Sequence, residues 1–194
     1  MTIHRMKLKD LNDTYLQKLQ QQFTDKETEI EIRLAVHKES DEQQVSMDET
    51  NFWEIIHSLA WEKSGNNDAI LQPATKKLAQ YSKTAILEFH DLLSEKLYLL
   101  DGKKFADNAS RENSVSADLF LYARCFVVAS GRAIYYQTLN NPSLFPKDIF
   151  FDDLLYLPEY AWKIKTDQAF NHLPKYMYET GFNSSGWGEQ AIIL

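Results

Sequence analysis

Eleven consecutive residues, Leu119-Phe120-Leu121-Tyr122-Ala123-Arg124-Cys125-Phe126-Val127-Val128-Ala129, carry a single charge, that of Arg124. A helix apolar almost all round cannot lie on a surface, so it must run through the centre of a body built by other elements. The segment is also far too short to span a bilayer, which needs about 20 apolar residues. The rest of the chain must therefore supply amphipathic elements to surround it.

Helical periodicity supplies them. Phe52, Trp53, Ile56, Leu59 and Ala60 share one face of a helix that Ser46 and Glu49 open at capping-box spacing and that ends near Ser64-Gly65-Asn66-Asn67. Asp68 caps a second helix through Leu71, Leu78 and Tyr81, with Pro73 tolerated near its first turn. Ser82 caps the longest periodic segment, carrying Ile86, Phe89, Leu93, Leu97 and Leu100, and Gly102 ends it. Ser116 opens the apolar helix. Ser130-Gly131-Arg132 either kinks that helix or divides it from Ala133-Ile134-Tyr135-Tyr136, which Asn140-Asn141-Pro142 closes. Asp152 or Asp153 caps another helix through Trp162 and Ile164.

Upstream, Ile3 to Leu8 and Thr28 to Leu34 alternate apolar and polar, flanking a helical pattern of Tyr15, Leu16, Leu19 and Phe23. The fold class read from these patterns is mainly α: a helical-bundle-like domain of five or six helices over residues 47–170. Residues 1–36 form a small β-α-β addition, 37–46 a polar linker, and 171–194 an irregular C-terminal tail packed on the body.

Charge and cysteine content narrow the function. The net charge is −7 and the pI about 5.2, which opposes nucleic-acid binding. A single cysteine, Cys125, excludes an internal disulfide, and the N-terminus lacks the apolar core of a signal peptide. A cytoplasmic protein with no membrane segment follows. The acidity is concentrated. Between Lys38 and Lys63 lie Glu39, Asp41, Glu42, Asp48, Glu49, Glu54 and Glu62 without a Lys or Arg. Between Lys147 and Lys163 lie Asp148, Asp152, Asp153 and Glu159 among aromatics. Such windows are either solvated surface or a docking face for a basic partner. Ile149-Phe150-Phe151 and Leu154-Leu155-Tyr156-Leu157 read as core, or as an interface with Asp152, Asp153 and Glu159 as its acidic rim.

Catalytic patterns are sparse. Glu54 and His57 have the Glu-x-x-His spacing of carboxylate-bridged metal bundles, but no second copy exists, so no metal and no cofactor are expected. His57 then reads as a partly buried ring near Trp53 or Trp61. Cys125 is placed for burial, which raises a thiol pKa. Ser184-Ser185-Gly186 lacks the elbow pattern of a nucleophile, and neither Gly131 nor Gly186 belongs to a phosphate cradle. Arg124 and Arg132 are the polar residues that need explaining. Arg124 either pairs internally with an acid such as Asp118 or Glu95, or forms an anion site with Arg132 at the Gly131 break.

Met47-Asp48-Glu49 with Phe52-Trp53, Glu95-Lys96-Leu97-Tyr98, Asp118 with Tyr122-Ala123-Arg124-Cys125, Gly131-Arg132 with Tyr135, and Asn141-Pro142-Ser143 together resemble the bacterial family called domain of unknown function 4240. The likeness covers about residues 46–170, and the N-terminal unit and Asn183 to Trp187 resemble a subset of it. It implies a helical fold and no assigned reaction; some relatives sit beside a WGR domain in larger proteins. Where many relatives carry a Trp-Asp-Leu-Trp-like stretch, this chain has Leu99-Leu100-Asp101-Gly102-Lys103. Small size, concentrated acidity and the absence of a catalytic set point to a non-catalytic protein-binding protein. Its most concrete form is an immunity-type protein that neutralises a toxin, with Asp48, Glu49, Glu54, Asp152, Asp153 and Glu159 facing a basic partner. The alternative is an enzyme or small-anion sensor using Arg124 and Arg132 in a helical cleft.

Overall fold

The computed structural model describes Gln17 and residues 46–111 and 115–188. The β-α-β addition expected over 1–36 and the linker over 37–46 lie outside the described residues, save Gln17 and Ser46. Among the described residues there are eight α-helices and no strand. They are α1 (Glu49–Ile56), α2 (Asn67–Leu78), α3 (Lys83–Leu99), α4 (Lys103–Ala109), α5 (Ala117–Ala129), α6 (Arg132–Asn140), α7 (Leu157–Thr166) and α8 (Ser184–Trp187). Single 3₁₀ turns occupy Trp61–Lys63, Pro142–Leu144 and Asp152–Tyr156. The mainly helical class holds. The expected five or six helices become eight because α4 and α8 are too short to show a period: α4 buries Phe105 and Ala109, and α8 is one turn.

The centre is shared. The apolar helix α5 buries eight residues, including Phe120, Arg124, Cys125 and Val128, while α3 buries Ile86, Phe89, Leu93 and Leu97 beside it. Around this pair, α1 and α7 pack on α3, α6 and the turn Asp152–Tyr156 pack on α5, and α2 packs along α7. Phe52 of α1 meets Phe89 at 4.8 Å between ring centroids, and both rings are fully buried. Truncating either ring to alanine is worth about 3–5 kcal/mol by the usual cost of a large core cavity.

Several helix boundaries differ from the sequence reading. Ser46 does not form a capping box with Glu49. Asp48 is the cap and accepts from the Asn51 N–H at 2.8 Å, while Asn51 Nδ2 donates to the Ser46 carbonyl. Asn66 rather than Asp68 caps α2, and Asp68 lies in its first turn, where a carboxylate favours the helix dipole. Ser82 and Ser116 cap α3 and α5, as their sequence context implies. Gly102 is not the stop of α3 but the cap position of α4. Neither Asp152 nor Asp153 caps α7; both belong to the 3₁₀ turn before it, and Tyr156 holds the cap position. Gly131 divides α5 from α6 with φ of +94°, a conformation L side chains rarely adopt. Among the described residues no helix is long and apolar enough to cross a membrane.

From Phe170 to Asn183 the chain runs over α3 without regular structure, held by side-chain hydrogen bonds, before the single turn of α8. Asp91 accepts from the Lys175 N–H at 2.9 Å and bonds His172 Nε2 at 2.9 Å; the Tyr176 N–H reaches Ser94 Oγ. Asp101 sits 1% exposed and accepts from the N–H groups of Gly181 and Asn183 and from Trp187 Nε1 at 2.9 Å. The backbones touch where this segment ends: a Cβ on Gly102 would meet the Gly186 carbonyl oxygen at 2.8 Å. Glycine at both positions permits that approach.

Candidate functional site

The two acidic windows end up in different roles. In the first, Glu49 faces inward from the start of α1. Its Oε1 accepts from Tyr136 Oη, from Trp53 Nε1 at 3.0 Å and from Lys96 Nζ at 3.1 Å. The Tyr136 hydrogen bond leads in holding its carboxyl at about 2, with Trp53 and Lys96 adding to it and partial burial opposing. Lys96, 7% exposed at its side chain, lies 5.7 Å from the centres of the Tyr135 and Tyr136 rings. Tyr135 Oη donates to the Lys96 carbonyl. This cluster ties α1, α3 and α6 together. Asp48 is exposed but occupied as a cap, and Glu54 pairs with Lys77 at 3.5 Å. Of the described acids in the first window, Asp48, Glu49 and Glu54 are thus engaged within the protein's own framework.

The second window lies at the surface beside aromatics. Tyr156 and Tyr160 are 46% and 39% exposed, and their rings stack at 5.9 Å with 21° between planes. Ile164, one turn further along α7, is 62% exposed. Ile149 and Phe150 are also exposed just before the turn, and Trp61 rests on Phe151. Asp152 and Asp153 are half-buried in the turn and Glu159 is exposed. Asp153 accepts from Asn67 Nδ2, which joins the turn to the start of α2. Burial first, then the carboxylates of Asp68, Asp153 and Glu159, raise the pKa of Tyr160. So these three acids share one neighbourhood, and Asp68 joins the acidic rim. The cap position expected for Asp68 hides it as surface; Asn66, two residues earlier, can cap equally well and does.

Between α2 and α7 runs an open groove of about 260 Å³, lined by Leu71, Gln72, Thr75, Tyr160 and Ile164, with Asp68 and Lys76 also on its wall. Apolar walls, an aromatic ring and a carboxylate suit it to a side chain with an apolar stem and a cationic head.

Arg124 and Arg132 are not brought into one cleft. Arg124 is fully buried; Nη1 donates to the Leu97 carbonyl at 3.0 Å and Nη2 to Thr180 Oγ1 at 2.9 Å. Its guanidinium carbon stands 4.9 Å from the centre of the Phe120 ring. Burial lowers its pKa, and the charge of Asp101 opposes that. The expected pairing with Asp118 or Glu95 is replaced by a backbone carbonyl, a hydroxyl and an aromatic face. Arg132 is exposed at the start of α6. His57 is exposed at the end of α1, not stacked in the core. Cys125 is fully buried, and burial pushes its thiol up to about 12, so little reactive thiolate forms near neutrality. Among the described residues no group of three or more His, Cys, Asp or Glu is placed to hold a metal ion.

A further buried cluster was not legible in the sequence. His90 is 6% exposed, with ring contacts to Phe170 and His172 and no hydrogen-bond partner for Nδ1. Burial, then the neighbouring His172, lowers its pKa to about 4, against the attraction of Asp91. It stays neutral under the C-terminal segment.

The chain matches no curated protein and no solved structure. The model of one family, described as "Protein of unknown function (DUF4240)", matches residues 47–164, from just before α1 into the last turn of α7. The chain belongs to this DUF4240 family of unknown function.

Proposed function

We propose that this protein is a non-catalytic binding protein that docks a basic protein partner on the face formed by the turn Asp152–Tyr156, α7 and the start of α2. In its most concrete form it is an immunity-type protein that covers a toxin. One observation carries the reading: the stacked, exposed Tyr156–Tyr160 pair stands among Asp68, Asp153 and Glu159. Exposed aromatics with a charged rim are the usual composition of a binding hot spot. Carboxylates around it steer a cationic partner and set its orientation. Glu49 and Glu54, engaged by Lys96 and Lys77, contribute less to that face than the sequence alone suggests.

The test is affinity capture of the tagged chain from its own cells, at low and high salt, alongside the variant Tyr156→Ala/Glu159→Lys. One abundant basic protein, held by the parent chain and lost both at high salt and with the variant, is the expected result. Capture that the variant leaves unchanged, or no stoichiometric partner at all, contradicts the reading.

A further inference from the structure

We propose that the groove between α2 and α7 receives an arginine side chain of the partner, its guanidinium stacked on Tyr160 and paired with Asp68. The inference rests on the reading of this face as a docking surface and names the chemistry it would recognise. Ile164 and the Tyr160 ring, exposed over the buried Leu71, offer apolar surface for a three-methylene stem, the part of arginine that gains from leaving water. A planar guanidinium lies flat on a tyrosine ring and meets a carboxylate through two parallel N–H bonds. Gln72 lines the same groove and has a carbonyl free in kind to take a further N–H. A lysine ammonium matches the charge but lacks the planar stack and the fork.

The groove also has a direction. Asp68 lies in the first turn of α2, and Asp153 and Glu159 stand with it around Tyr160. Lys76 lies two turns further along α2, about 12 Å away at the helical rise of 1.5 Å per residue. A cation is therefore attracted to the Asp68 end and repelled from the other. Lys76 thereby orients the incoming segment.

The test uses the full chain, labelled with ¹⁵N, titrated with acetyl-Leu-Arg-Leu-amide and with its citrulline counterpart, which keeps the shape and loses the charge. The arginine peptide is expected to shift amides of residues 68–76 and 160–164, with the citrulline peptide several-fold weaker. Asp68→Asn is expected to weaken the arginine peptide roughly two- to five-fold, the range of an exposed charge pair. Lys76→Glu is expected to strengthen it by a similar factor, a gain that misfolding cannot mimic. Equal shifts from both peptides, shifts confined to other residues, no shift at millimolar peptide, or no gain with Lys76→Glu would each overturn the proposal. Failure of the docking reading looks different. Capture of a basic partner with the groove silent removes the arginine site and leaves the docking face. An arginine-dependent shift with no captured partner leaves the site and removes the partner.

Discussion

Arg124 brings a cation into the centre of the molecule, and among the described residues no carboxylate lies within ion-pair distance of it. Its two hydrogen bonds explain the placement: one satisfies a carbonyl in the last turn of α3, the other fixes Thr180 of the C-terminal segment. Arg124→Met keeps the volume and removes both. Two hydrogen bonds from a charged donor are worth about 1.5–3 kcal/mol each, offset in part by relief of a desolvated charge. A net loss of roughly 2–4 kcal/mol in urea unfolding is expected, with faster amide exchange around Thr180; an unchanged midpoint would remove the strut role. His90 gives a second residue-scale expectation. Its folded pKa of about 4 lies below the ordinary 6.5, so the unfolded chain takes up the proton first. Stability then falls as pH drops from about 6.5 to 4, by roughly 3 kcal/mol in all at 1.36 kcal/mol per unit. Glu49 acts lower: its stabilisation is present above 4.5 and is lost as pH falls towards about 2. A pH series of urea midpoints should lose its upper phase in His90→Phe while the lower phase remains. An upper phase that survives the substitution would contradict the assignment to His90.

At the scale of elements, the segment over residues 170–188 contrasts with the helices. Helix faces announce themselves by spacing: Ile86, Phe89, Leu93 and Leu97 are periodic in the sequence and buried in the structure. The C-terminal segment has no period, because its conformation is set by side chains some 80 residues upstream. Asp101 is the clearest case. In the sequence it is one acid in a loop; in the structure it receives Gly181, Asn183 and Trp187 together. The acidic windows were legible in the same partial way. Their composition marked them, but which acids face water depends on Lys96, Tyr136 and Lys77 arriving from other helices. Asp101→Ala should release the segment. A red shift of Trp187 emission and early proteolytic cleavage after residue 170 are the expected signs, with α-helical circular dichroism nearly intact. Cooperative unfolding of the whole body instead would show that the segment is not a separable element.

At the scale of the molecule, the body and the surface answer to different constraints. The body is closed by α3 and α5 and by three polar anchors: the half-buried Glu49 with Lys96, and the buried Arg124 with Leu97 and Thr180 and Asp101 with the C-terminal segment. None of these anchors is on the Tyr156–Tyr160 face, so that face can change without loosening the framework. Charge reversal of Glu159, which is exposed, is expected to shift stability by no more than about 0.5 kcal/mol, as surface substitutions usually do. Thermal unfolding of Glu159→Lys checks this, and a large drop would place the residue in the framework. The family match covers residues 47–164 and assigns no activity, while the proposed docking face rests on exposure, stacking and charge. The decisive measurement is the dissociation constant of the purified complex with its captured partner across ionic strength, for the parent chain and for Asp68→Lys/Glu159→Lys. Affinity is expected to fall steadily with salt, and the variant to bind at least tenfold more weakly with a flatter salt dependence. A salt-independent constant that the two reversals leave unchanged would contradict it.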